Sequence, residues 1–260
     1  ITGIEQSSKF DCLNIFKLIG FENVNTAKII IIFVLLLVIS GWRPMVTSIF
    51  HFLATFSVFH SIMPINGGDQ LNLILSVAYI PLCISDTRVS HWSENKNSKD
   101  TWSSKYINLV NIFFVNLIRF QMSIIYLIAS FSKMQEEQWM NGTALYYWVN
   151  VEGFGAVGIV KQFLNLLFNS SIFLGLATWS VILLELLLFA ALFMQKKNQT
   201  YLLILGLLFH FSIIIVHGLV SFFFAISAGL FIYLCSPNII KDIKCYSSKK
   251  DNSNENIQLS

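Results

Sequence analysis

Charge is what this sequence has least of: Asp, Glu, Lys and Arg make up 12% of its 260 residues, about half the share of a typical soluble domain. That scarcity excludes a disordered chain, which is rich in charge and poor in apolar residues. It also excludes a basic nucleic-acid binder, which concentrates cations on one face. Four Cys with no CxxC spacing exclude a disulfide-rich miniprotein and carry no metal or redox motif. Gly (13) and Pro (4) are too few for a collagen-like fibre. No GxSxG, no HExxH and no paired intramembrane aspartates occur, so the sequence shows no protease arrangement and no expected metal site.

Apolar side chains take the place of the missing charge. They make up 55% of the chain, 24 of them Phe, and the mean hydropathy is +0.66. A soluble globule cannot hide that much apolar surface, so lipid is the expected solvent for most of it. Runs of about 20 apolar residues suffice to cross a bilayer. Such runs predict an all-α polytopic bundle of about seven spans, at 25–41, 45–63, 70–84, 106–130, 172–194, 200–216 and 219–235. Residues 1–24 read as an external loop, 25–235 as the transmembrane domain and 236–260 as a polar cytoplasmic tail. GWRP at 41–44 separates the first two spans, and Gly67, Gly68 and Asp69 read as an external turn before the third.

Cation placement sets the orientation. With the N-terminus outside, Arg43, the cations of 88–105, Lys196, Lys197 and the tail lysines fall inside; Lys9, Lys17, Lys28, Lys133 and Lys161 fall outside. Only that orientation obeys the positive-inside tendency. The sequence opens on Ile1, and an external N-terminus needs an upstream span to export it, so a preceding helix, eight spans in all, is expected. Cys12 then pairs with an upstream cysteine or stays a free thiol.

Polar residues inside a span are expensive and therefore informative. Asn116, Arg119, Ser123, Tyr126, Ser130 and Lys133 recur every three or four residues and share one face of the fourth span. Arg119 needs a partner there, and Glu185 in the fifth span is the economical one, either as a plain helix clamp or as part of a charged cavity. Lys133 ends the stripe. Apolar walls and Arg119's positive potential would make it a general base near neutral pH; the plainer reading is a lysine snorkelling at a helix end. His210 lies inside the sixth span, where a hydrogen-bonded packing histidine is the plain alternative to a catalytic one.

Several of these residues together resemble a known family. Arg119, Gln121, Tyr126, Ala129, Lys133, Trp139, Gly142 and Tyr146, with Phe209-His210 and Gly218 further on, resemble the core of the horizontally transferred transmembrane (HTTM) family. That family includes the vitamin K-dependent gamma-carboxylases. GWRP at 41–44, GGDQ at 67–70, Asp86-Thr87-Arg88 leading to His91-Trp92, and WMNGTALYYW at 139–148 resemble its sporulation-delaying protein B (SdpB) branch. The likeness covers nearly the whole chain. It implies a multi-pass protein of the bacterial cell membrane that helps mature a secreted antimicrobial peptide from a precursor toxin peptide, beside a small SdpA-like partner protein and without nucleic acid. The carboxylase relatives oxidise a reduced quinone and use a lysine base in an external-side cavity. The resemblance puts that base at Lys133 and His210 on a cavity-lining helix. With Arg119, Glu185 and Tyr126 as supporting electrostatics and Trp139, Tyr146 and Tyr147 as pocket walls, an enzyme reading would be carboxylase-like or quinone-oxidase-like. These residues include no counterpart of the carboxylases' extra-membrane substrate domain, so quinone-linked chemistry stays open without gamma-carboxylation. The competing reading is a non-catalytic scaffold, or a toxin-binding or immunity protein; a channel is a weaker third.

Overall fold

The structure is a computed structural model that describes residues 11–61, 67–86, 88–93 and 102–235. Among them there is no strand, only an isolated bridge between Trp42 and Ser90. The helices are α1 (Ile15–Ile19), α2 (Val24–Ile39), α3 (Pro44–Phe59), α4 (Gly67–Ile84), α5 (Trp102–Met134), α6 (Glu137–Met140), α7 (Ala144–Asn150), α8 (Gly158–Phe168), α9 (Ser171–Ala190), α10 (Lys196–His217) and α11 (Val220–Leu234).

Helices occupy all seven segments read as spans. Four stretches are long and apolar enough by themselves to cross a membrane: Gly67–Ile84, Tyr106–Met134, Ser171–Phe193 and Lys196–His217. Val24–Ile39, Pro44–Phe59 and Val220–Leu234 are apolar but shorter. Large side chains such as Leu36 (59%), Phe113 (62%), Leu183 (58%) and Leu208 (60%) are exposed along these helices. A water-soluble protein does not display such rows, so the chain is an all-α, multi-pass membrane protein.

The chain divides into two compact units. The first takes the described residues up to Ile118 together with Val220–Ile226; the second takes Arg119–Leu219 and the described residues from Ser227 onward. In the first, residues 11–23 are more ordered than a plain loop. The Asn14 side chain caps α1 by accepting from the Phe16 N–H, and donates to Ser61 Oγ at 3.0 Å. Ser57 Oγ of α3 accepts from the Ile15 N–H at 3.0 Å. The expected turn at Gly67, Gly68 and Asp69 is instead the first turn of α4, with Gly68 buried. Asp69 suits that place because carboxylates favour the positive end of a helix.

GWRP does break α2 from α3: Pro44 occupies the first turn of α3, and Arg43 before it has a left-handed φ of 39°. Gly41 has φ 69°, and a Cβ there would lie 2.6 Å from Trp92 Nε1. The 41–44 corner thus closes on the 88–93 turn, with the Arg43 N–H donating to the Val89 carbonyl at 2.8 Å. Arg88 organises that turn by donating to Asp86 Oδ1 at 2.8 Å, Asp86 Oδ2 at 2.6 Å and the Ser93 carbonyl at 2.8 Å.

In the second unit, α8 is an apolar helix within a stretch read from sequence as a connection; Ile159 (84%) and Leu166 (68%) lie exposed on it. The α7–α8 pair is held by reciprocal amide bonds between Asn150 and Asn165, at 2.9 and 3.1 Å. Gly206 lets α10 approach closely: a Cβ there would meet Leu230 at 3.2 Å and Leu188 at 3.4 Å. Small residues at such crossings are how membrane helices pack without a hydrophobic driving force between them.

Candidate functional site

The polar face of α5 finds partners on three other helices of the second unit. Arg119 Nε donates to the Tyr233 carbonyl of α11 at 3.1 Å. Ser123 Oγ donates to the Phe189 carbonyl of α9 at 3.2 Å. The Tyr126 hydroxyl and His210 Nε2 of α10 are 3.0 Å apart, with the two residues 2% and 4% exposed. Lys133 Nζ donates to both Glu185 carboxylate oxygens of α9, at 2.8 and 2.9 Å. Ser130 is fully buried and bonds back to the Leu127 carbonyl of its own helix. Asn116 is exposed.

The expected Arg119–Glu185 pair is therefore not what forms: Glu185 takes Lys133. Arg119 and Lys133 stand roughly four turns apart on α5, about 21 Å, so one carboxylate cannot serve both. The direction of the lysine side chain decides between them. Side chains on a helix lean toward its N-terminus, and Lys133 folds back until Nζ lies 3.4 Å from the Ala129 carbonyl. Snorkelling outward from the helix end does not describe it either. A carboxylate at 2.8 Å also replaces Arg119 as the charge that Lys133 feels. Glu185 is almost completely buried, with 6% of its side chain exposed against 23% for Lys133.

Trp139 completes this group. It is buried, and Lys133 Nζ stands 5.4 Å from its ring centroid, within cation–π range. Trp139, Ala144, Val181 and Ile182 form an apolar cluster with Met134, Leu145, Leu186 and Phe209 packed around it. Tyr146 (46%) and Tyr147 (51%) are exposed and do not wall this cluster. The reason lies in α7, whose buried residues Ala144 and Val149 set its inward face and turn both tyrosines away.

Two participants carried a sequence signal that the stripe on α5 did not reveal. Tyr233 is buried, and its hydroxyl donates to the Leu188 carbonyl at 2.8 Å and the Phe189 carbonyl at 3.1 Å. Gln199 Nε2 donates to the Ala191 carbonyl at 2.9 Å. Both satisfy carbonyls where α9 gives way to a 3-10 turn (Ala191–Phe193), the place where helical partners run out. A lone tyrosine in an apolar span, and a glutamine in the first turn of another, were the available signals.

A quinone held here would need hydrogen-bond donors open to its ring oxygens. Tyr126 closes on His210, and Lys133 closes on both oxygens of Glu185. This arrangement does not fit a bound quinone unless those bonds break.

No family model matches the chain, and no solved structure matches it. It is similar to the sporulation-delaying protein SdpB of Bacillus subtilis (strain 168), 34% identical over 212 residues that cover 82% of this chain and 64% of that protein. It is also similar to the uncharacterized protein YitO of the same organism, 29% identical over 215 residues, covering 83% of this chain and 68% of that one. The chain thus spans slightly less than two thirds of SdpB's length. Fold and comparison together describe a multi-pass, all-α membrane protein similar to SdpB.

Proposed function

We propose that this chain is a member of the SdpB branch that crosses the bacterial cell membrane about seven times, N-terminus outside, and is required to produce a secreted peptide toxin from its precursor. The 34% identity to SdpB over 82% of the chain supports the biological role. The observation that carries the site is the contact of Lys133 Nζ with both oxygens of a buried Glu185. Passing one proton along that 2.8 Å contact, from Nζ to the carboxylate, leaves an amine lone pair and a neutral acid. Lys133 is the more exposed partner, so its amine is the atom a precursor peptide would meet, with Trp139 beside it. Tyr126 and His210 are positioning residues that fix α10 against α5. Wider membership of the HTTM family and action beside a small SdpA-like protein belong to the same proposal.

The saturated bonding of the pair favours a second reading, in which Lys133 and Glu185 only clamp α5 to α9 of a scaffold. Lys133→Ala alone does not separate the two, because it strands a buried carboxylate and destabilises the fold. The decisive variant is Lys133→Leu with Glu185→Leu, which removes both charges together. It is expressed in a producing strain, mature peptide is read by mass spectrometry, and membrane levels are read by blot. Precursor accumulating at normal membrane levels is the expected result. Normal mature peptide from the double variant would reduce the pair to a clamp.

A further inference from the structure

The first unit contains a groove of about 300 Å³ that the toxin-production role does not use. Phe16 of α1, Val24, Ile31 and Ile32 of α2, and Val58 of α3 give it apolar walls. Two polar residues line it. Ser61 is engaged, exchanging bonds with the Asn14 side chain at 3.0 and 3.3 Å. Lys28 is exposed, and no carboxylate pairs with it among the described residues.

Lys28 stands where the chain changes solvent. Before it come the polar residues Asn23, Asn25 and Thr26; after it runs the uninterrupted apolar stretch of 29–39. A lysine at such a boundary reaches the headgroup layer while its stem lies along hydrocarbon. The groove runs past it, lined by Val24 one turn before it and by Ile31 and Ile32 one turn after it on the apolar stretch. In a bilayer an apolar groove at this level meets lipid chains. A volume near 300 Å³ is the low end of small-molecule pockets, too small for a partner helix about 10 Å across.

We propose that this groove is a binding site for an anionic phospholipid, with an acyl chain against Phe16, Ile31 and Val58 and the phosphate on Lys28. Charge complementarity selects the headgroup and the apolar walls hold the tail. Both elements are needed, so a soluble phosphate does not substitute for the lipid.

The test uses the purified full chain in detergent, given equal amounts of phosphatidylglycerol and phosphatidylcholine and read by native mass spectrometry. The wild type is expected to retain phosphatidylglycerol about fivefold over phosphatidylcholine, the size of one lysine's attraction to anionic lipid. Lys28→Gln abolishes the preference, whereas Lys196→Gln at the start of α10 keeps it. Ile32→Trp, at a position 56% exposed and therefore tolerant of bulk, fills the groove and lowers retention of both lipids. Glycerol phosphate, which has the charge without the tail, does not compete. Equal retention of the two lipids by the wild type, an unchanged preference in Lys28→Gln, or competition by glycerol phosphate would each overturn the proposal.

Discussion

In the first unit, helices meet through small groups: Thr55 Oγ1 and Ser76 Oγ lie 3.0 Å apart between α3 and α4, and Asn14 and Ser57 fasten α1 to α3. In the second unit, smaller groups also bridge helices, as Ser123 and the Asn150–Asn165 pair do, but three of the bonds from α5 belong to long, ionisable side chains: Lys133 with Glu185, Tyr126 with His210, Arg119 with the α11 backbone. Hydroxyls can bond back to their own helix, as Thr55 does to the Phe52 carbonyl and Ser76 to the Leu73 carbonyl. A lost partner across the interface therefore costs them little. A buried carboxylate has no such fallback. The first unit is glued locally and redundantly; the second depends on particular pairs, as a site does.

The sharpest way to break that contrast is to remove one charge of the second unit's pair. Lys133→Leu leaves Glu185 buried without its cation and should lower stability by about 3–5 kcal/mol, read by thermal unfolding of the purified protein in detergent. Adding Glu185→Leu should recover most of the loss, since two apolar side chains replace a buried pair at little cost or with a gain. A double variant as unstable as the single one would show that Glu185 is held by something other than Lys133. The matching change in the first unit, Thr55→Val, should cost only about 1 kcal/mol. A loss as large as that of Lys133→Leu would erase the distinction between the units.

How much of this was legible follows from what sequence encodes directly. Apolar runs and their breaks gave helices at all seven expected places, because length and hydrophobicity are properties of one segment at a time. The stripe from Arg119 to Lys133 was readable for the same reason, since one helix's period decides who shares a face. Partner choice was not readable. It depends on which way Lys133 leans and on how far along α9 Glu185 stands, and both are properties of two helices together. The tyrosines at 146 and 147 misled because aromatic character suggested a wall, whereas the face of α7 is set by Ala144 and Val149. Helix α8 was missed because its eleven residues are shorter than a span. The start of α4 was missed because Gly67 and Gly68 mimic a turn.

The turn at 88–93 supplies the smallest effect and tests whether a charged pair in the first unit behaves like the one in the second. Hydrogen bonds from Arg88 hold the Asp86 carboxyl below its ordinary 3.8, against a smaller upward push from burial. Because the folded value is depressed, the pair's contribution is complete above the ordinary value and drains away as the pH falls through the folded one. Arg88 stays charged throughout, and His91 Nδ1 also lies 3.5 Å from Asp86 Oδ2; on the acid side the Asp86 carboxylate sets the window. The two side chains are 25% and 15% exposed, and a pair so near the surface contributes below about 1 kcal/mol. Asp86→Asn should therefore lower the unfolding temperature slightly at pH 6. The wild-type and variant curves should approach each other as the pH drops below 4. A gap as wide at pH 3 as at pH 6 would mean that Asp86 acts through packing rather than charge. A gap as large as that of Lys133→Leu would mean that the first unit, too, depends on a particular ion pair.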